Sequence, residues 1–441
     1  MSDLHALMTG SPGDRPTLVA RLAELFPDSV RGQPLDAACR LAIRGGRQAA
    51  LERLAAIDPV AYATTRNHVG GSVTKLSPWI RHGVLSLAEV RDAALARARV
   101  PEDATKLVSE LGWRDYWRQV QAALGPAITR DIEPPAARRR GGQPLDRMPD
   151  DVLTGATGLA CIDAFVRQLH DTGWLHNHER MWLASWLVHT RGVRWQTGAD
   201  WFMEHLLDAD PASNHLSWQW VAGTFSAKPY IFNRENLETF TAGSHCATCP
   251  VRGHCDVEGT YDDLAARWFE PAAGGDRPSL RIPPAPPWQP GADRPRPRRP
   301  LVWLTLDALA ATSPAALAHA GQPRVFVFDS EWLATERPTL KRLVFISECL
   351  AEVPGVEIHR GDPAEVLAAR AASLGCDGIA LADTPCPRVR RQAEALSTTL
   401  PLTAEPWPQF CRRDGVRDLG RFSRYWSKVG ASALVPTSGS R

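Results

Sequence analysis

The segment from Gly173 to Trp220 constrains the fold most, because it holds seven of the sixteen tryptophans of this 441-residue chain. Apolar side chains recur there every three to four residues, and no proline or glycine occurs between positions 174 and 191, which predicts a helix. A tryptophan-rich core would explain the aromatic residues. It explains Asp208, Asp210 and Asn214 less well, because buried carboxylates need partners. A large polar heterocycle with hydrogen-bond donors on its edges would supply them.

Four motifs occur in this segment: GW-x-HN-x-x-RM, FM-x-x-L-x-D-x-D, an asparagine four residues before a tryptophan, and WQW. With these motifs the segment closely resembles the flavin-binding core of the photolyase and cryptochrome family. The resemblance implies an all-α domain that binds FAD and a reaction that is driven by light.

Charge and composition limit the other classes of function. The net charge of +2 gives no global signature of polyanion binding, so any contact with nucleic acid must come from a local patch. No apolar run reaches the length of a membrane span, and the N-terminal residues MSDLHALMTGSPGD lack the pattern of a signal peptide. We expect a cytoplasmic monomer, whose nine cysteines are thiols or metal ligands rather than disulfides.

The chain divides by pattern into a helical part and an α/β part. Residues 1–270 show no convincing strand and predict an all-α, FAD-binding catalytic domain that contains a cysteine cluster. A proline-rich linker spans 271–300. Apolar runs alternating with helical stretches in 301–410 predict a Rossmann-like parallel α/β domain, and 411–441 form a C-terminal helix or connector. The α/β segment resembles the antenna domain of photolyases, which normally comes first; the resemblance therefore implies a circular permutation, with the new ends in the segment that joins the two domains.

The resemblance also implies the residues of the flavin site. A helix that begins at Ser77-Pro78 would favour a pyrophosphate at its N-terminus, although an ordinary helix cap explains the same residues. Val73 and Trp79 replace a threonine and a tyrosine that are usual in the family. Asn214 matches the partner of flavin N5, and Asp208 with Arg180 matches an ion pair. The full set implied for FAD is Tyr62, Thr74, Lys75, Leu76, Ser77, Arg114, Arg180, Asp208, Asp210 and Asn214.

A second constellation lies in ELGWRDYWRQV, where one helix face would carry a carboxylate, an arginine and two large aromatic residues. Such a face suits the stacking of flipped bases better than an aliphatic seam would. The resemblance implies a pocket for a pyrimidine dimer in DNA, lined by Glu110, Trp113, Asn177, Met181 and Trp220, with DNA contacts from Arg66, Trp117 and His178. Asparagine at position 177 favours the cyclobutane dimer over the (6-4) photoproduct, although the neighbouring His176 and His178 leave that alternative open.

Two tryptophans match the family's photoreduction chain: Trp218 as the inner member and Trp195 as the middle one. The outer member is missing, because residues 118–173 contain no tryptophan. Trp201 or Trp186 would have to substitute, unless the path leaves elsewhere; packing alone is the competing interpretation for Trp218 and Trp195.

The cysteines Cys246, Cys249 and Cys255 have the spacing C-x2-C-x5-C, which suits a shared metal centre. Cys161 matches a cluster cysteine in the iron–sulfur photolyases and cryptochromes of bacteria. We therefore predict a 4Fe–4S cluster on these four cysteines. Zinc is the alternative, with His245 or His254 as ligands.

The resemblance predicts a deoxyribodipyrimidine photolyase that splits cyclobutane dimers in DNA by electron transfer from photoexcited, reduced FAD. The alternatives are a blue-light photoreceptor of cryptochrome type, a (6-4) photolyase, and a flavin and iron–sulfur protein that binds DNA without photochemistry. The family's antenna chromophore is possible but of unknown identity, and LTLDALA here lacks the arginines usual at the start of the antenna domain.

Overall fold

The computed structural model describes residues 14–31, 35–271, 279–291 and 293–436. The helices of the first part number fourteen among these residues, not counting single turns of other helix types. In chain order they are α1 Arg15–Leu25, α2 Leu35–Cys39, α3 Arg47–Ala55, α4 Pro59–Thr65, α5 Ser77–Arg81, α6 Leu87–Arg97, α7 Pro101–Leu124, α8 Asp150–Thr154, α9 Ala160–Thr172, α10 Asn177–Ser185, α11 Trp195–His205, α12 Pro211–Ala222, α13 Arg234–Thr241 and α14 Tyr261–Trp268.

The helices that position the site begin and end for clear chemical reasons. Helix α7 starts at a proline, carries two acidic residues in its first turn and stops at Gly125, whose φ is +56°. Helix α12 is capped by the side chain of Asp210, which accepts from Ser213 N, and ends at a left-handed glycine. Helix α10 is capped by His176 in a reciprocal arrangement with Glu179, and a π-helical turn, Trp186–Thr190, extends it.

The second part of the chain is a parallel five-stranded sheet with helices on both faces. Its strands are β1 Pro300–Leu304, β2 Arg324–Asp329, β3 Val356–Gly361, β4 Gly378–Ala382 and β5 Leu402–Glu405, in the order β3-β2-β1-β4-β5. The helices are α15 Pro314–Ala318, α16 Ser330–Glu336, α17 Leu340–Ala351, α18 Pro363–Ser373, α19 Pro387–Ser397 and α20 Phe422–Ala433. Strands β1 and β4 are buried throughout, as expected for a sheet covered on both sides.

One hydrophobic core joins the two parts. It contains Leu107 and Val108 of α7 together with Val302 of β1 and Phe345 of α17. Polar contacts cross the same boundary: Arg81 of α5 pairs with Asp307 after β1, both nearly buried. Arg15 pairs with Glu348 at 2.7 Å. The helical part and the sheet therefore hold each other in place through both apolar and ionic contacts.

The secondary structure agrees with the sequence analysis at the level of class. Within the described ranges all five strands lie between residues 300 and 405, so the all-α start and the parallel α/β end are both observed. Strand β5 and helix α13 were not expected. The proline-rich segment is more than a spacer, because Leu419 N donates to Ile282 O at 2.7 Å and Asp418 accepts from Ile282 N.

No helix in the described part of the chain is long and apolar enough to cross a membrane. The N-terminal segment that was compared with a signal peptide lies, up to residue 13, outside the described residues.

Candidate functional site

A turn between α11 and α12 carries two buried carboxylates, and each pairs with an arginine from a different helix. Asp208 Oδ2 accepts from Arg180 Nη2 of α10 at 2.9 Å, and Asp210 Oδ2 accepts from Arg114 Nη1 of α7 at 2.8 Å. Both aspartates are buried, at 5% and 4% exposure. Because a buried charge without a partner is costly, these two pairs fix the turn against α7 and α10.

Asp208 keeps an unused acceptor. Burial would raise the pKa of its carboxyl, but the Arg180 charge, the Ser77 hydroxyl and Arg114 outweigh burial and hold the pKa below its ordinary value. Asp208 Oδ1 is nevertheless buried without a hydrogen bond of standard geometry from the described residues, and so is Ser213 Oγ. Buried polar atoms of this kind call for a ligand or water as partner.

The loop before α5 faces the same region in a strained conformation. Arg53 donates to the carbonyl oxygens of Thr74 and Val73 at 2.6 and 2.7 Å. Lys75 has φ = +53°, which a residue with a side chain rarely adopts, and its Nζ lies 5.0 Å from the centre of the Trp174 ring. Helix α5 begins at Ser77 as expected. It has only five residues, so the helix dipole at its N-terminus is small.

Asn214 lies in the first turn of α12, and its amide is oriented by the neighbouring helix. Its Nδ2 donates to Ala199 O of α11 at 2.8 Å. The amide oxygen receives no hydrogen bond within the described residues. Asn214 therefore presents an acceptor, as the resemblance implies for a partner of flavin N5.

The residues expected to bind the flavin thus lie on or around the turn between α11 and α12. They provide cations, an amide acceptor and buried oxygens that lack a hydrogen bond of standard geometry. This set of donors and acceptors fits FAD, whose ring offers an N–H and carbonyl edge and whose phosphates need cations and N–H groups. Arg180, Arg114 and Lys75 supply positive charge, and Asp208 and Asn214 supply acceptors.

Glu110 lies one turn before Arg114 on α7, and Arg66, which was expected to contact DNA, lies beside it together with Lys106, which was not expected. Arg66 Nε lies 3.5 Å and Lys106 Nζ 3.0 Å from Glu110 Oε1, and the Glu110 side chain is 32% exposed. Burial, followed by the Glu110 charge, raises the pKa of the Tyr62 hydroxyl well above its ordinary value. Arg66, Tyr62 and Glu110 therefore lie together as a partly exposed group. This group lies beside the turn that carries Asp208 and Asp210, which we call the flavin turn.

The opposite wall of this group is α10. Asn177 Nδ2 lies 3.2 Å from Met181 Sδ, so these two predicted pocket residues contact each other. Both nitrogens of His176 are engaged, Nδ1 by His178 N and Nε2 by Arg66 O. His178 packs against Trp182 and Phe240, and burial with the Arg66 charge lowers its pKa, so it offers little positive charge to DNA.

Two aromatic residues of α7 differ from the expectation. Trp113 stacks on Phe422 of α20, with ring centres 3.8 Å apart at 14°, so one face of the ring is already covered. Trp117 is only 6% exposed and packs on Tyr116 and Phe225, so the expected DNA contact from Trp117 is wrong for this conformation. Sequence reasoning missed Phe422 because it lies 309 residues further along the chain.

The predicted relay residues lie on neighbouring helices. The Trp218 ring lies directly over Gly198 of α11, where an added Cβ would come within 2.3 Å of it. Trp195 lies one turn before Gly198, is 5% exposed, and donates its Nε1–H to Asp131 at 2.7 Å. Trp220 lies on the same helix as Trp218, and its ring packs on Tyr230 at 5.3 Å.

The four predicted cysteine ligands lie in the same region but do not form a cage. Burial, then the charges of the other three cysteines, raises the pKa of Cys161 to about 12, and burial raises that of Cys246 to about 11. All four are free thiols. No group of three or more histidine, cysteine or acidic side chains in the described ranges is arranged to hold a metal ion, so neither the cluster nor the zinc alternative is established.

A separate cavity of about 570 Å³ opens between α7 and the carboxyl ends of β1 and β4. Its lining includes Arg118, Asp307, Trp288, Asp383 and Trp407. The sheet order changes direction between β1 and β4, and ligands of open α/β sheets bind at such switch points. No local sequence pattern marks this cavity, because loops far apart in the chain build it.

Comparisons with known proteins agree with this geometry. Residues 107–243 match the family model described as the FAD binding domain of DNA photolyase. The chain is 36% identical over 222 residues to a deoxyribodipyrimidine photo-lyase of Streptomyces griseus, covering 48% of each chain. It is 34% identical over 241 residues to a chloroplastic/mitochondrial cryptochrome DASH of Ostreococcus tauri, covering 52% of this chain and 43% of the relative. The chain thus spans about half the length of the curated relatives it matches.

Among solved structures, a bacterial class III photolyase from Agrobacterium tumefaciens is similar at 26% identity over 56% of this chain and 52% of that one, with a TM-score of 0.39. A cryptochrome of Synechocystis covers 45% of this chain and 44% of that one at 27% identity, with a TM-score of 0.40.

Proposed function

We propose that this chain, whose residues 107–243 belong to the family of FAD-binding domains of DNA photolyases, is a light-driven lyase that splits cyclobutane pyrimidine dimers in DNA. The proposal rests on one observation. Helix α7 carries Glu110 and Arg114 one turn apart, so the same helix contacts Asp210 in the flavin turn and Arg66 in the partly exposed group. The names of the relatives include both repair enzymes and cryptochromes, and the choice between them rests on the residues around Glu110.

Bound FAD, reduced and excited by light, would supply the electron that splits the ring bonds of the dimer and is then returned. The residues of the chain bind and orient the flavin. Arg180 and Arg114 hold Asp208 and Asp210 in a buried turn, which fixes the donors and acceptors that orient the flavin. Asn214 presents its amide oxygen because its nitrogen is tied to Ala199.

Glu110 is the proposed acceptor for the N–H groups on the base edges of the dimer. In the structure it is paired with Arg66 and Lys106, so substrate must share the carboxylate with these cations or displace them. Once displaced, Arg66 and Lys106 become available for the phosphates that flank the lesion. The arrangement therefore couples binding of the dimer to binding of the DNA backbone.

The cyclobutane dimer is favoured over the (6-4) photoproduct for a local reason. A proton donor beside Asn177 is what the (6-4) alternative requires. Both nitrogens of His176 are occupied by backbone groups, and the ring of His178 is packed between aromatic side chains with a lowered pKa.

Repair of an oligonucleotide that contains one dimer, under light and with the flavin chemically reduced, tests the proposal. Glu110→Ala should retain FAD and lose repair by about tenfold or more, because the dimer loses hydrogen bonds to a charged group. Glu102→Ala is the matched control, since Glu102 is an exposed glutamate on the same helix. Repair by Glu110→Ala at the wild-type rate would remove the pocket assignment, and a protein purified without flavin would remove the function.

A photoreceptor without repair is the second candidate, and the covered face of Trp113 favours it. Phe422 occupies the ring face on which a dimer could stack. If Phe422→Ala creates or raises dimer repair while FAD content stays constant, α20 blocks the pocket in the resting protein. If repair is absent from both proteins, the photoreceptor role is preferred.

We propose two further cofactors. The cavity between Trp288 and Trp407 has the size and the aromatic and cationic lining for an antenna chromophore. Cys161, Cys246, Cys249 and Cys255 remain the proposed ligands of a 4Fe–4S cluster, because the C-x2-C-x5-C spacing of the last three suits a shared metal centre and the helix of Cys161 packs against the turn that carries Cys246. Their sulfurs must move together to bind it. Iron and sulfide counts after anaerobic purification, compared between wild type and Cys249→Ala, decide the second proposal.

We propose, finally, the domain limits 1–270, 271–300, 301–410 and 411–441, and a circular permutation of the usual order. The order in the chain supports this, since the helical part precedes the sheet. The packing of α20 on α7 also supports it, since the last helix lies against the flavin-binding part.

A further inference from the structure

The predicted chain of tryptophans that would carry electrons to the flavin lacks its outer member. The surroundings of Trp195 show how this chain can end at Trp195. Trp195 Nε1 donates to Asp131 Oδ1 at 2.7 Å. Trp195 is 5% exposed, whereas Asp131 lies on the surface. Among the described residues, the hydrogen bond from the Trp195 indole is the contact that the structure gives to the Asp131 carboxylate, and no ion pair competes with it.

The position of Trp195 connects it to the flavin turn. Trp218 follows Asn214 by one turn on α12, and its ring lies on Gly198 of α11, one turn after Trp195. The ring of His215 lies between the two helices, 6.3 Å from the Trp195 ring. Trp195, at the start of α11, thus lies one helix turn from the glycine on which the Trp218 ring packs.

The two other candidate tryptophans are poorly suited to carry a positive charge. The guanidinium of Arg191 lies 5.1 Å from the centre of the Trp186 ring, and a cation there opposes removal of an electron. The Nε1–H of Trp201 is buried without an acceptor, so an oxidised Trp201 could not release its proton. Trp195 has an acceptor at its N–H and appears in no cation–ring contact of the described residues.

We propose that Trp195 and Asp131 form the terminal, proton-coupled electron donor for light-driven reduction of the flavin. One electron leaves the Trp195 indole toward Trp218 and is accepted by oxidised flavin. The Nε1 proton passes to Asp131, which gives a neutral indole radical and a carboxylic acid. Exposed Asp131 then returns the proton to water, and a soluble thiol reduces the radical and is itself oxidised.

Transfer of the proton matters because it separates charge. A cation left on Trp195 would attract the electron back, whereas a neutral radical does not. Asp131 also stabilises the developing positive charge before the proton moves, since a hydrogen bond to a carboxylate is about twice as strong as a neutral one. The pair therefore takes the place of the missing outer tryptophan.

Asp131→Asn tests the inference, which rests on the proposed flavin function. The amide can still accept from the indole but carries no charge and cannot take the proton, so the yield of photoreduction by a thiol should fall about tenfold, as expected when a hydrogen bond to a charged group becomes a neutral one. Asp256→Asn is the matched control, because Asp256 Oδ2 accepts from Trp186 Nε1 at 3.0 Å in the same manner. The control should photoreduce like the wild type.

Two further readouts do not depend on activity. In the dark, the indole N–H resonance of Trp195, identified by its loss in Trp195→Phe, should shift in Asp131→Asn and stay unchanged in Asp256→Asn. After illumination, electron paramagnetic resonance should show a neutral tryptophan radical in the wild type and a protonated one in Asp131→Asn.

The outcomes separate this inference from the proposed function. Chemically reduced Asp131→Asn should repair dimers normally, because repair by reduced flavin does not use the relay. Wild-type photoreduction and an unchanged radical in flavin-loaded Asp131→Asn would overturn the inference and leave the proposed function intact. Loss of photoreduction in Asp256→Asn alone would assign the terminal role to Trp186 instead.

Discussion

The buried pair between Arg81 and Asp307 should contribute strongly to stability, because it joins the helical part to the sheet. Asp307→Asn preserves the shape of the side chain and removes its charge. The side chains of Arg81 and Asp307 are only 4% and 8% exposed, and Arg118 approaches the same carboxylate at 3.9 Å. The substitution therefore leaves a buried arginine without its main counter-charge.

The magnitude follows from the pKa of Asp307. Burial raises this pKa, but Arg81, Arg118 and the Thr384 hydroxyl outweigh burial and bring it from 3.8 to about 2. That difference corresponds to about 2 kcal/mol of folding free energy at ~1.4 kcal/mol per pH unit. We expect Asp307→Asn to lose about 2 kcal/mol at pH 7. Removing one partner of a buried pair has cost ~3–5 kcal/mol elsewhere, and we prefer the smaller figure because the amide can keep the Thr384 contact.

The pH dependence provides the sharper test. A carboxyl whose pKa is lowered by folding stabilises the protein above its ordinary pKa, and this contribution is lost as the pH falls toward 2. Urea unfolding of both proteins should show a difference of about 2 kcal/mol at pH 7 that declines to about 1 kcal/mol at pH 3. Asp36→Asn is the control, since the Asp36–Arg40 pair is exposed and should contribute at most ~0.5 kcal/mol. A loss below ~0.5 kcal/mol in Asp307→Asn, or a difference independent of pH, would refute the reasoning.

Three other predictions concern single side chains. In Gly198→Ala the added Cβ would lie 2.3 Å from the Trp218 ring, so the clash of ~1–3 kcal/mol should cancel the ~1 kcal/mol that alanine gains in a helix and lower the free energy of unfolding by up to ~2 kcal/mol; a variant stabilised by ~1 kcal/mol would contradict the close packing. Asp208→Asn weakens the pair with Arg180 and should lower the ratio of flavin to protein absorbance, whereas full FAD content would exclude Asp208 from the site. Burial and the Lys341 charge lower the pKa of His170 to about 4, so its contribution to stability is retained above pH 6.5 and is lost as the pH falls; between pH 7.5 and 5.5 the wild type should lose roughly 1 kcal/mol more than His170→Gln.

The sequence predicted those parts of the site that lie on one helix or in one short motif. Helix α7 starts at a proline and stops at a glycine, so its limits and the shared face of Glu110 and Arg114 follow from local chemistry. The spaced motifs around Asp208 and Arg180 resemble those of a known family, and this resemblance implied that the two residues form an ion pair. Four of the five strands were visible as short apolar runs between helical stretches.

Contacts between distant segments could not be predicted in this way. Strand β5 has the sequence LTAE between two prolines, and only its pairing with β4 makes it a strand. The stacking of Phe422 on Trp113 depends on how α20 docks on α7. The hydrogen bond between Trp195 and Asp131 joins a helix start to an irregular loop 64 residues earlier, and no periodic signal marks such a contact.

The charged residues of α7 explain how a helical part and a sheet in this order can still build one site. Glu110, Arg114 and Arg118 follow one another at intervals of four, so they form a stripe along the helix. From one end to the other they contact Arg66, then Asp210 in the flavin turn, then Asp307 at the edge of the sheet. These contacts depend on the helix and its packing, and none of them requires that the sheet come before the helices in the chain. Because one 24-residue helix carries all three residues, that helix fixes the spacing between the flavin turn and the edge of the sheet, whichever domain comes first.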